Sequence, residues 1–419
     1  AASAQILLSG SRCRIYFKTR NYTCTDNIGY FMKQSLASNQ RRDALADLLV
    51  IDFTIVMSGP MCTRMMADAG ADVVKIEPPE GDVVRQRPPM RGGISSYYAS
   101  MNCGKRSVVL DLSTIEGKRL ARELALKADV VVENFRPGVA SRLGLGPELR
   151  DDKPSLIYAS ISGFGQTGPD AHLPAYDLVA QAMSGLMAAT GEAGGKPLKV
   201  GESYGDLMAG LYASWAILAA LHRRNATGEG STIDVAMFDA LFSLLPTSHA
   251  LQFYANRTPT PVGNRHPLST PFGCFACAAG QAVIAVLGDR QWQALCGVIG
   301  SDMGQDAALA TDEGRTLQEP RIKAAIEEWT LPRPMADVVA ALSAAGIPTA
   351  QVQSLAQAAA SPHAQARELV SQMAHPVFGH SAIVGQPVRF DGAKPISATS
   401  APQLGADGPA ILAKFGIAP

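Results

Sequence analysis

An aspartate at the predicted start of a long apolar helix is the residue best placed for covalent chemistry. Asp206 lies three residues after Ser203. The residues that follow it, 207–221, are uncharged and mostly apolar, which predicts a buried helix. A buried carboxylate is costly unless helix amides, a cation or a reaction compensates for it, so Asp206 is a candidate nucleophile. The spacing Ser203-x-x-Asp206 also fits a structural capping role. The two interpretations are compatible, because a helix N-terminus favours the anionic carboxylate that a nucleophile requires.

A glycine-rich string, GFGQTG at residues 163–168, follows a predicted strand and matches the GxGxxG pattern of dinucleotide sites. That pattern also needs a helix to begin at the glycines, with its amides directed at a pyrophosphate. Pro169 and Pro174 interrupt the chain directly after the string. We therefore interpret it as a loop and expect no nicotinamide or flavin cofactor.

The patterns for two other common chemistries are missing. The sequence has no GxxxxGK[ST] and no HExxH string, so phosphate-loop and zinc-protease functions lack support. Cys274 and Cys277 form a lone CxxC pair without two further ligands at suitable spacing, and we interpret them as ordinary strand residues. No bound metal is expected.

Short β-branched runs that alternate with helical stretches predict a parallel sheet with crossover helices. The predicted strands are 48–54, 72–79, 107–112, 129–134 and 155–162, with helices over 59–71 and 114–127. Apolar helices at about 176–190 and 203–224, a strand at 231–237 and a helix to about Tyr254 follow. These elements indicate a large α/β domain with a doubly wound parallel sheet over residues 48–257.

The remaining chain divides by composition and periodicity. A segment rich in Pro, Gly and Asn at 258–273 predicts a boundary. Beyond it, a hairpin at 274–287 and helices at about 289–299, 318–329 and 334–345 predict a smaller α+β domain with linkers over residues 258–350. Residues 351–419, with a last helix around 407–415, are expected to return to the large domain. Residues 1–47 lack periodicity and are expected to be a poorly ordered extension, either an added upstream segment or a transit segment.

Composition limits the partners and the compartment. The 419 residues contain 37 basic and 37 acidic side chains and no long basic run, so no nucleic-acid partner is expected. The apolar stretch at 207–221 is shorter than the roughly 20 residues of a membrane-spanning helix, so no membrane segment is expected. Seven cysteines without a recognisable secretory signal favour a reducing compartment, and the cytoplasm is the expected location.

From about Leu48 to Ile417 the sequence resembles the class III coenzyme A transferases, the CaiB/BaiF family that also contains the α-methylacyl-CoA racemases. The strings that support the resemblance are LVIDFTIVMSGP, ADVVKIEPPEGDVVR, NCGKRSVVLDLSTIEGK, ADVVVENFRPGVASRLGLG, ISGFGQTGP, PAYDLVAQAMSG, YGDLMAGLYASWAILAALHRRNATGEGSTIDVAMFDA, GNRHP and LGADGPAIL. Several would mean little alone, but their order and spacing are specific.

The resemblance implies an activity and an architecture. In the transferases of this family the nucleophile is the aspartate at the start of the long apolar helix, which is Asp206 here. It implies attack by this carboxylate on an acyl-CoA thioester, an aspartyl anhydride, an enzyme–CoA thioester and transfer of CoA to a small carboxylic acid. A CoA thioester, with succinyl-CoA as one candidate, is thus expected as substrate without a permanently bound cofactor. The implied fold is a homodimer of two interlocked rings.

The resemblance also implies a set of CoA contacts. They are Val56, Met57, Leu110, Asn134, Phe135, Arg142, Leu143, Tyr176 and Met237. Ordinary core packing is an alternative explanation for Leu110, Phe135 and Met237. Some members have other residues at Met57, Pro78 and Ser113, which puts oxalate or formate specificity and part of the phosphate-binding set in doubt. Arg85 is expected either to compensate or to be a solvated surface charge.

Candidates for the acid substrate are less specific. The glycine-rich loop at residues 163–168, which we call the Gly165 loop, is a candidate source of oxyanion-binding amides. Arg265 and His266 could meet an acid substrate, although a turn fixed by the neighbouring Gly263 and Pro267 explains them equally well.

Two alternative functions stay open. The racemases use a histidine where this chain has Tyr176, and an unperturbed phenol is a poor base at neutral pH. His172 could replace that histidine only if its loop brought it into place. A CoA-binding relative without turnover is the second alternative, and the presence of Asp206 argues against it.

Overall fold

The computed structural model describes residues 5–9, 12–16, 44–375, 377, 379–392 and 399–418. Most of the predicted extension over residues 1–47 lies outside the described residues. The strands are β1 (Gln5–Ser9), β2 (Arg12–Tyr16), β3 (Leu49–Asp52), β4 (Asp72–Glu77), β5 (Met90–Arg91), β6 (Ile94–Ser95), β7 (Arg106–Val109), β8 (Val130–Glu133), β9 (Ile157–Ser162), β10 (Thr232–Ala236), β11 (Phe272–Ala276), β12 (Gln281–Ala285), β13 (Thr349–Gln351), β14 (Val370–His375) and β15 (Gly379–Val384).

The described part of the chain also contains these α-helices: α1 (Ser58–Asp68), α2 (Ser96–Asn102), α3 (Ile115–Lys127), α4 (Val139–Arg142), α5 (Leu149–Asp152), α6 (Asp177–Met183), α7 (Leu186–Ala189), α8 (Tyr204–Thr227), α9 (Met237–Ser243), α10 (Pro246–His249), α11 (Asp289–Ile299), α12 (Asp312–Leu317), α13 (Glu319–Thr330), α14 (Met335–Ala344), α15 (Leu355–Ala360), α16 (Pro362–Ala366) and α17 (Gly408–Lys414). Short 3₁₀ turns lie at Val83–Gln86, Asp302–Gln305 and Ala307–Leu309, and a π-helical turn follows α10 at Ala250–Tyr254.

The main sheet has six strands in the order β10-β9-β8-β3-β4-β7. The pairs β3/β4, β4/β7, β3/β8 and β8/β9 are parallel. The chain starts in the middle at β3, moves outward through β4 to β7, and returns to the other side of β3 at β8. This order confirms the predicted doubly wound α/β fold and puts its switch point between β3 and β8. Open sheets of this kind bind ligands beyond the carboxyl ends of the strands at that point.

The strands were predictable because both faces of the sheet are covered. β3 and β8 are buried at every position, so their sequences LVID and VVVE are continuous runs without polar and apolar alternation. Helix α3 begins after Thr114, whose hydroxyl accepts a hydrogen bond from Gly117 N at 2.9 Å. The core on this side joins sheet residues such as Ile51 and Val131 to Leu124 of α3.

By its internal contacts the chain forms two compact units. The first, which we call the sheet unit, contains the described residues within Ala1–Ile161, Gly210–Asp234 and Ser371–Pro419. The second, which we call the small unit, contains Ser162–Ala209 and Val235–Val370. In the small unit the antiparallel strands β11, β12 and β13 pack on helices α11, α13 and α14 around Trp292, Ile322 and Leu342. The predicted hairpin and its three helices are confirmed here.

One predicted helix is broken. Residues 176–190 were expected to form a single apolar helix, but α6 ends at Met183 and α7 begins at Leu186. Gly185 lies between them with a φ of 91°. That left-handed backbone cannot continue an α-helix, and glycine adopts it without a steric penalty.

The long helix α8 corrects another expectation. Its sequence predicts burial on all sides, yet Leu211, Trp215 and Leu218 are 43%, 67% and 48% exposed. These three residues lie four and three positions apart, so they form an apolar stripe along one helix face. The described chain covers only the opposite face, which includes Ala213 and Ile217.

Helix α8 also differs from its prediction in length. It has 24 residues, and by length and composition it is the one helix in the described ranges that could cross a membrane. Core helices of proteins outside membranes pass the same test, and 44% of its most apolar window is buried.

Candidate active site

Asp206 lies in the first turn of α8, as predicted. The helix begins at Tyr204, and Leu207 N donates to Ser203 O at 3.0 Å. Asp206 is half-buried, while Gly205 before it is buried. The carboxylate therefore sits where the helix dipole favours negative charge and where part of it remains accessible to a small molecule.

A second aspartate, Asp177, holds the backbone next to Asp206. Gly205 N donates to Asp177 Oδ1 at 2.7 Å, and Gln181 Nε2 donates to Asp177 Oδ2 at 2.8 Å. Gln181 is fully buried, donates to Glu202 O at 3.1 Å and accepts from Val200 N at 2.9 Å. The start of α6 thus fixes the segment that leads into α8.

Gly205 suits this contact because a side chain there would crowd the Asp177 carboxylate. A Cβ on Gly205 would lie 3.0 Å from Asp177 Oδ1, 3.4 Å from Leu241 Cδ1 and 3.6 Å from Ala180 Cβ. Leu241 belongs to α9, so helices α6 and α9 both close on the residue that precedes Asp206.

Met237 and the Gly165 loop belong to the same unit as Asp206. Phe238, next to Met237, donates its backbone N–H to Gly163 O at 3.0 Å. Gly165 has a φ of 85° and donates its N–H to Ser162 Oγ at 2.9 Å. The next helix begins only at Asp177, so the interpretation of GFGQTG as a loop is confirmed. Met237 is buried, as its core-packing alternative requires.

The residues just before Asp206, GESYG at 201–205, also match the GxSxG pattern of serine hydrolases. That pattern needs a strand directly before the serine, because the nucleophile stands on a strand-to-helix turn. Residues 190–203 contain no strand in the structure. Ser203 therefore lacks the local setting of a hydrolase nucleophile.

Tyr176 precedes α6 and is 76% exposed. Its neighbour Asp177, which the sequence interpretation did not single out, makes the contact to the Asp206 turn. The sequence feature that could have identified Asp177 was its spacing from Gln181, which lies four residues later in the same helix.

Arg265 and His266 lie in a bend of the small unit. His266 N donates to Phe272 O at 2.8 Å, and its ring lies 5.4 Å from that of Phe272. Arg265 lines a cavity of about 440 Å³ together with Glu192 and Lys323, and Asp206 is not among the lining residues. The turn interpretation accounts for His266, and the substrate role of Arg265 stays a prediction.

The sheet unit brings Val56, Met57 and Asn134 together at the switch point of the sheet. Asn134 follows β8, and the turn Ile55–Met57 follows β3. Ile55 N donates to Asn134 Oδ1 at 2.9 Å, and Asn134 Nδ2 donates to Ile55 O at 2.8 Å. Val56 has a φ of 69°, which is rare for a β-branched residue.

The side chains of three other predicted CoA contacts pack mainly against the protein core. Leu110 belongs to the buried core cluster, and Phe135 and Leu143 pack against it. The ring of Phe135 lies 6.5 Å from that of Phe53. Core packing therefore explains Leu110 and Phe135 without a ligand, and their CoA contacts stay predictions.

The two predicted arginines are in different situations. Arg142 ends α4 and is exposed, and no ion pair to it is found within the described ranges. Arg85 donates to both Glu77 oxygens at 2.7 Å and stacks 3.8 Å from the Tyr98 ring centroid. Its side chain is 17% exposed, so the alternative of a solvated surface charge is wrong. These contacts favour a structural role for Arg85, whereas the phosphate contact of the exposed Arg142 stays a prediction.

Glu133, which the sequence interpretation also missed, is the last residue of β8. Burial raises its pKa to about 7, even though Ser160 and the Phe135 N–H donate hydrogen bonds to it. The Phe135 N to Glu133 Oε2 distance is 2.8 Å. The carboxyl thus fixes the backbone that follows Asn134.

Among the described residues, no group of three or more His, Cys, Asp and Glu side chains is arranged to hold a metal ion. Cys274 lies in β11 and Cys277 just after it, and Cys277 is part of the small-unit core.

Comparisons with known proteins agree on one family. The family model "CoA-transferase family III" matches residues 45–408. Acetyl-CoA:oxalate CoA-transferase of Acetobacter aceti is 43% identical over 307 residues, 72% of this chain and 78% of the relative. Succinyl-CoA:mesaconate CoA-transferase of Haloarcula marismortui is 42% identical over 299 residues, 68% of this chain and 75% of the relative. The crystal structure of a CaiB/BaiF family protein from Brucella suis has a TM-score of 0.78 at 34% identity, covering 88% of this chain and 98% of that one.

Proposed function

The chain belongs to CoA-transferase family III, and from this membership we propose that it moves CoA from an acyl-CoA donor to a small carboxylic acid through Asp206. The carboxylate would attack the donor thioester carbonyl and expel CoA thiolate, which leaves an aspartyl acyl anhydride. The thiolate would then attack the aspartyl carbonyl and release the donor acid. An enzyme–CoA thioester remains.

The second half of the reaction repeats these steps with the acceptor. The acceptor carboxylate attacks the enzyme–CoA thioester and releases CoA thiolate, which forms a second anhydride. The thiolate attacks the acceptor acyl carbonyl, so the new acyl-CoA leaves and the Asp206 carboxylate is restored. Each addition places negative charge on an oxygen, and the amides of the Gly165 loop are candidates to stabilise it.

The observation that best supports the proposal is the position of Asp206. It is half-buried in the first turn of α8, and the adjacent Gly205 is held by Asp177 at 2.7 Å. A nucleophile gains from a fixed geometry, because reacting atoms already in place need no further ordering. Positive charge at a helix start also favours the anion that attacks.

The proposed CoA site lies at the carboxyl edge of the main sheet. The turn Ile55–Met57 and Asn134 meet at the switch point, and Arg142 offers a guanidinium to a CoA phosphate. We include no permanently bound cofactor, because every step is carried by Asp206, CoA and the two acids.

The names of the relatives suggest the class of substrate. They pair a short acyl-CoA with a dicarboxylic acid: acetyl-CoA with oxalate, and succinyl-CoA with mesaconate. We propose a short-chain acyl-CoA donor, with succinyl-CoA as the first candidate, and a small carboxylic acid as acceptor. A cytoplasmic location and a homodimer complete the proposal. The apolar stripe on α8 supports the homodimer because a second copy would remove it from water.

The test measures CoA transfer from succinyl-CoA to a panel of short acids. Asp206→Ala should abolish transfer while CoA still binds, and Asp206→Asn should behave alike, because an amide is not nucleophilic enough. Hydroxylamine added during turnover should convert Asp206 to a hydroxamate that peptide mass spectrometry locates. Turnover by Asp206→Ala, or labelling at another carboxylate, would exclude Asp206 as nucleophile.

The same preparation tests the alternatives. A racemase would exchange the α-proton of a 2-methylacyl-CoA with deuterated water at a catalytic rate. A CoA-binding relative without turnover would bind CoA and move it to no acid on the panel. The exposed Tyr176 in place of the racemase histidine favours the transferase.

A further inference from the structure

We propose that Asn134 and Asp82 are positioning residues that hold Val56 in a left-handed backbone and thereby shape the turn Ile55–Met57 that receives CoA. The inference rests on the proposed function, because it concerns how that function's CoA site is built. It assigns no chemical step to either residue.

The turn has a conformation that its own sequence disfavours. Val56 has a φ of 69°, and a Cβ with two branches meets the backbone there. Non-glycine residues persist in such regions where the surrounding structure over-determines them, and they cluster at ligand sites. Local preference does not explain this backbone, so its neighbours must.

Asn134 clamps the residue before Val56 from both sides. Its Oδ1 accepts from Ile55 N at 2.9 Å, and its Nδ2 donates to Ile55 O at 2.8 Å and to Ser58 Oγ at 3.2 Å. One amide side chain therefore fixes a complete peptide unit on each side of Ile55. Its donor and acceptor are both used within the protein, which argues against a direct polar contact to CoA.

Asp82 holds Val56 itself. Its Oδ1 accepts from Val56 N at 3.4 Å and from Val84 N at 3.1 Å. Its Oδ2 lies 3.0 Å from Lys75 Nζ, with both side chains fully buried. The same Lys75 Nζ donates to Thr54 O at 2.5 Å, so one buried ion pair connects the peptide groups on the two sides of Ile55.

The base of the turn is anchored below. Asp52 Oδ1 accepts from Thr54 N at 2.8 Å and from Thr54 Oγ1 at 2.5 Å, and Asp52 Oδ2 lies 3.0 Å from Lys105 Nζ. Burial would raise the pKa of Asp52, but Lys105 and Lys75 outweigh it and lower the pKa to about 2. The anchor therefore stays ionised at any pH at which the enzyme would work.

The location gives the clamp its function. Asn134 follows β8 and Ile55 follows β3, so their hydrogen bonds cross the switch point of the sheet. Ligands of doubly wound sheets bind in that crevice. A turn that is held before the ligand arrives loses less conformational freedom on binding, which increases affinity.

The test is a double-mutant cycle read out by calorimetric titration of the full chain with CoA. Asn134→Ala should weaken CoA binding about tenfold in the wild type and in Val56→Ala, which still has a Cβ in the left-handed region. In Val56→Gly the same change should cost less than about threefold, because glycine adopts this backbone without a clamp. Asn225→Ala, an exposed change near the end of α8, should leave CoA binding unchanged.

Each result decides the matter. Three results would overturn the clamp. The first two are an equal loss of CoA affinity from Asn134→Ala in the Val56→Gly and Val56→Ala backgrounds, and no loss of CoA affinity from Asn134→Ala in the wild type. The third is weaker CoA binding by Val56→Gly than by Val56→Ala. Those results arise in a protein that binds CoA, so they leave the proposed function intact, whereas a wild type without CoA affinity overturns both. If circular dichroism shows that Asn134→Ala does not fold, Asn134→Asp replaces it. The aspartate keeps the acceptor for Ile55 N and removes the donor to Ile55 O.

Discussion

The Gly205 amide donates a hydrogen bond of 2.7 Å to the Asp177 carboxylate, although the two residues are 28 positions apart in the chain. Gly205 directly precedes Asp206, so Asp177 acts on the start of α8 and on the direction of the proposed nucleophile. The contact is buried on the Asp177 side, where Gln181 occupies the second carboxylate oxygen. Buried hydrogen bonds of this kind are strong because an unmet partner would lose its solvation.

Removing the Asp177 carboxylate should therefore slow catalysis more than it weakens CoA binding. We expect Asp177→Ala to lower kcat by about tenfold or more, since a charge-assisted hydrogen bond is worth about 1.5–3 kcal/mol and each 1.4 kcal/mol is tenfold in rate. The dissociation constant for CoA should change by less than about threefold. Steady-state transfer rates and calorimetric titration measure the two quantities.

Two matched variants separate position from charge. Asp177→Asn leaves one of the two donors, Gly205 N or Gln181 Nε2, opposite an amide N–H, so its kcat should fall between those of the wild type and Asp177→Ala. Gly205→Ala adds a Cβ 3.0 Å from Asp177 Oδ1 and should lower kcat by displacing the same contact. A kcat unchanged in all three variants would show that Asp177 has no part in orienting Asp206.

Arg142 and Arg85 should respond differently to truncation. We expect Arg142→Ala to weaken CoA binding about tenfold and to reduce its salt dependence, because an exposed guanidinium that pairs with a phosphate is lost. Arg85→Ala should instead lower the free energy of unfolding by about 3 kcal/mol, because it leaves the buried Glu77 carboxylate without its bidentate partner. Titration with CoA at two salt concentrations and thermal unfolding measure these effects.

The control for the arginines is Arg122→Ala, which removes an exposed ion pair with Asp152. Surface pairs contribute little, so both CoA affinity and stability should stay near the wild-type values. If Arg142→Ala binds CoA as tightly as Arg122→Ala does, Arg142 does not contact the phosphate.

Much of the architecture could be predicted because buried parallel strands have a distinctive sequence. The predicted strand at 129–134 and the observed β8 at Val130–Glu133 differ by one residue at each end. The predicted helix over 114–127 likewise begins one residue early. Apolar runs on covered strands and a Thr cap are local signals, so no knowledge of neighbours was needed.

The misses share the opposite cause: they depend on contacts between distant segments. In the sequence, Arg85 is only a charged residue near a predicted turn. The folded chain is what places the Tyr98 ring over its guanidinium. The burial of α8 was overestimated because an apolar sequence does not show which of its faces the rest of the chain covers. The position of Asp206 in the first turn of α8 was predictable because its signal, a charge before an apolar helix, is local.

The apolar stripe on α8 should be a subunit contact. Trp215→Lys places a charge in the centre of the stripe, and burying that charge against a second copy is costly. We expect the variant to shift from dimer to monomer, as measured by sedimentation velocity. Ile115→Lys changes an 89% exposed apolar residue outside the stripe and should leave the dimer intact. A monomeric wild type, or a dimer unaffected by Trp215→Lys, would contradict the proposed assembly.

Glu133 should make the stability of the folded chain fall as the pH rises toward neutrality. Burial raises its folded pKa from 4.5 to about 7, so between these values the folded state binds more protons than the unfolded state. Its stabilising contribution is fully present below pH 4.5 and is lost as the pH passes 7, by an amount of about 3 kcal/mol. Glu133→Gln keeps an acceptor for Phe135 N and cannot ionise. Thermal unfolding should show the variant close to the wild type at pH 5 and more stable at pH 8. A constant difference between the two proteins across this range would mean that Glu133 does not titrate there.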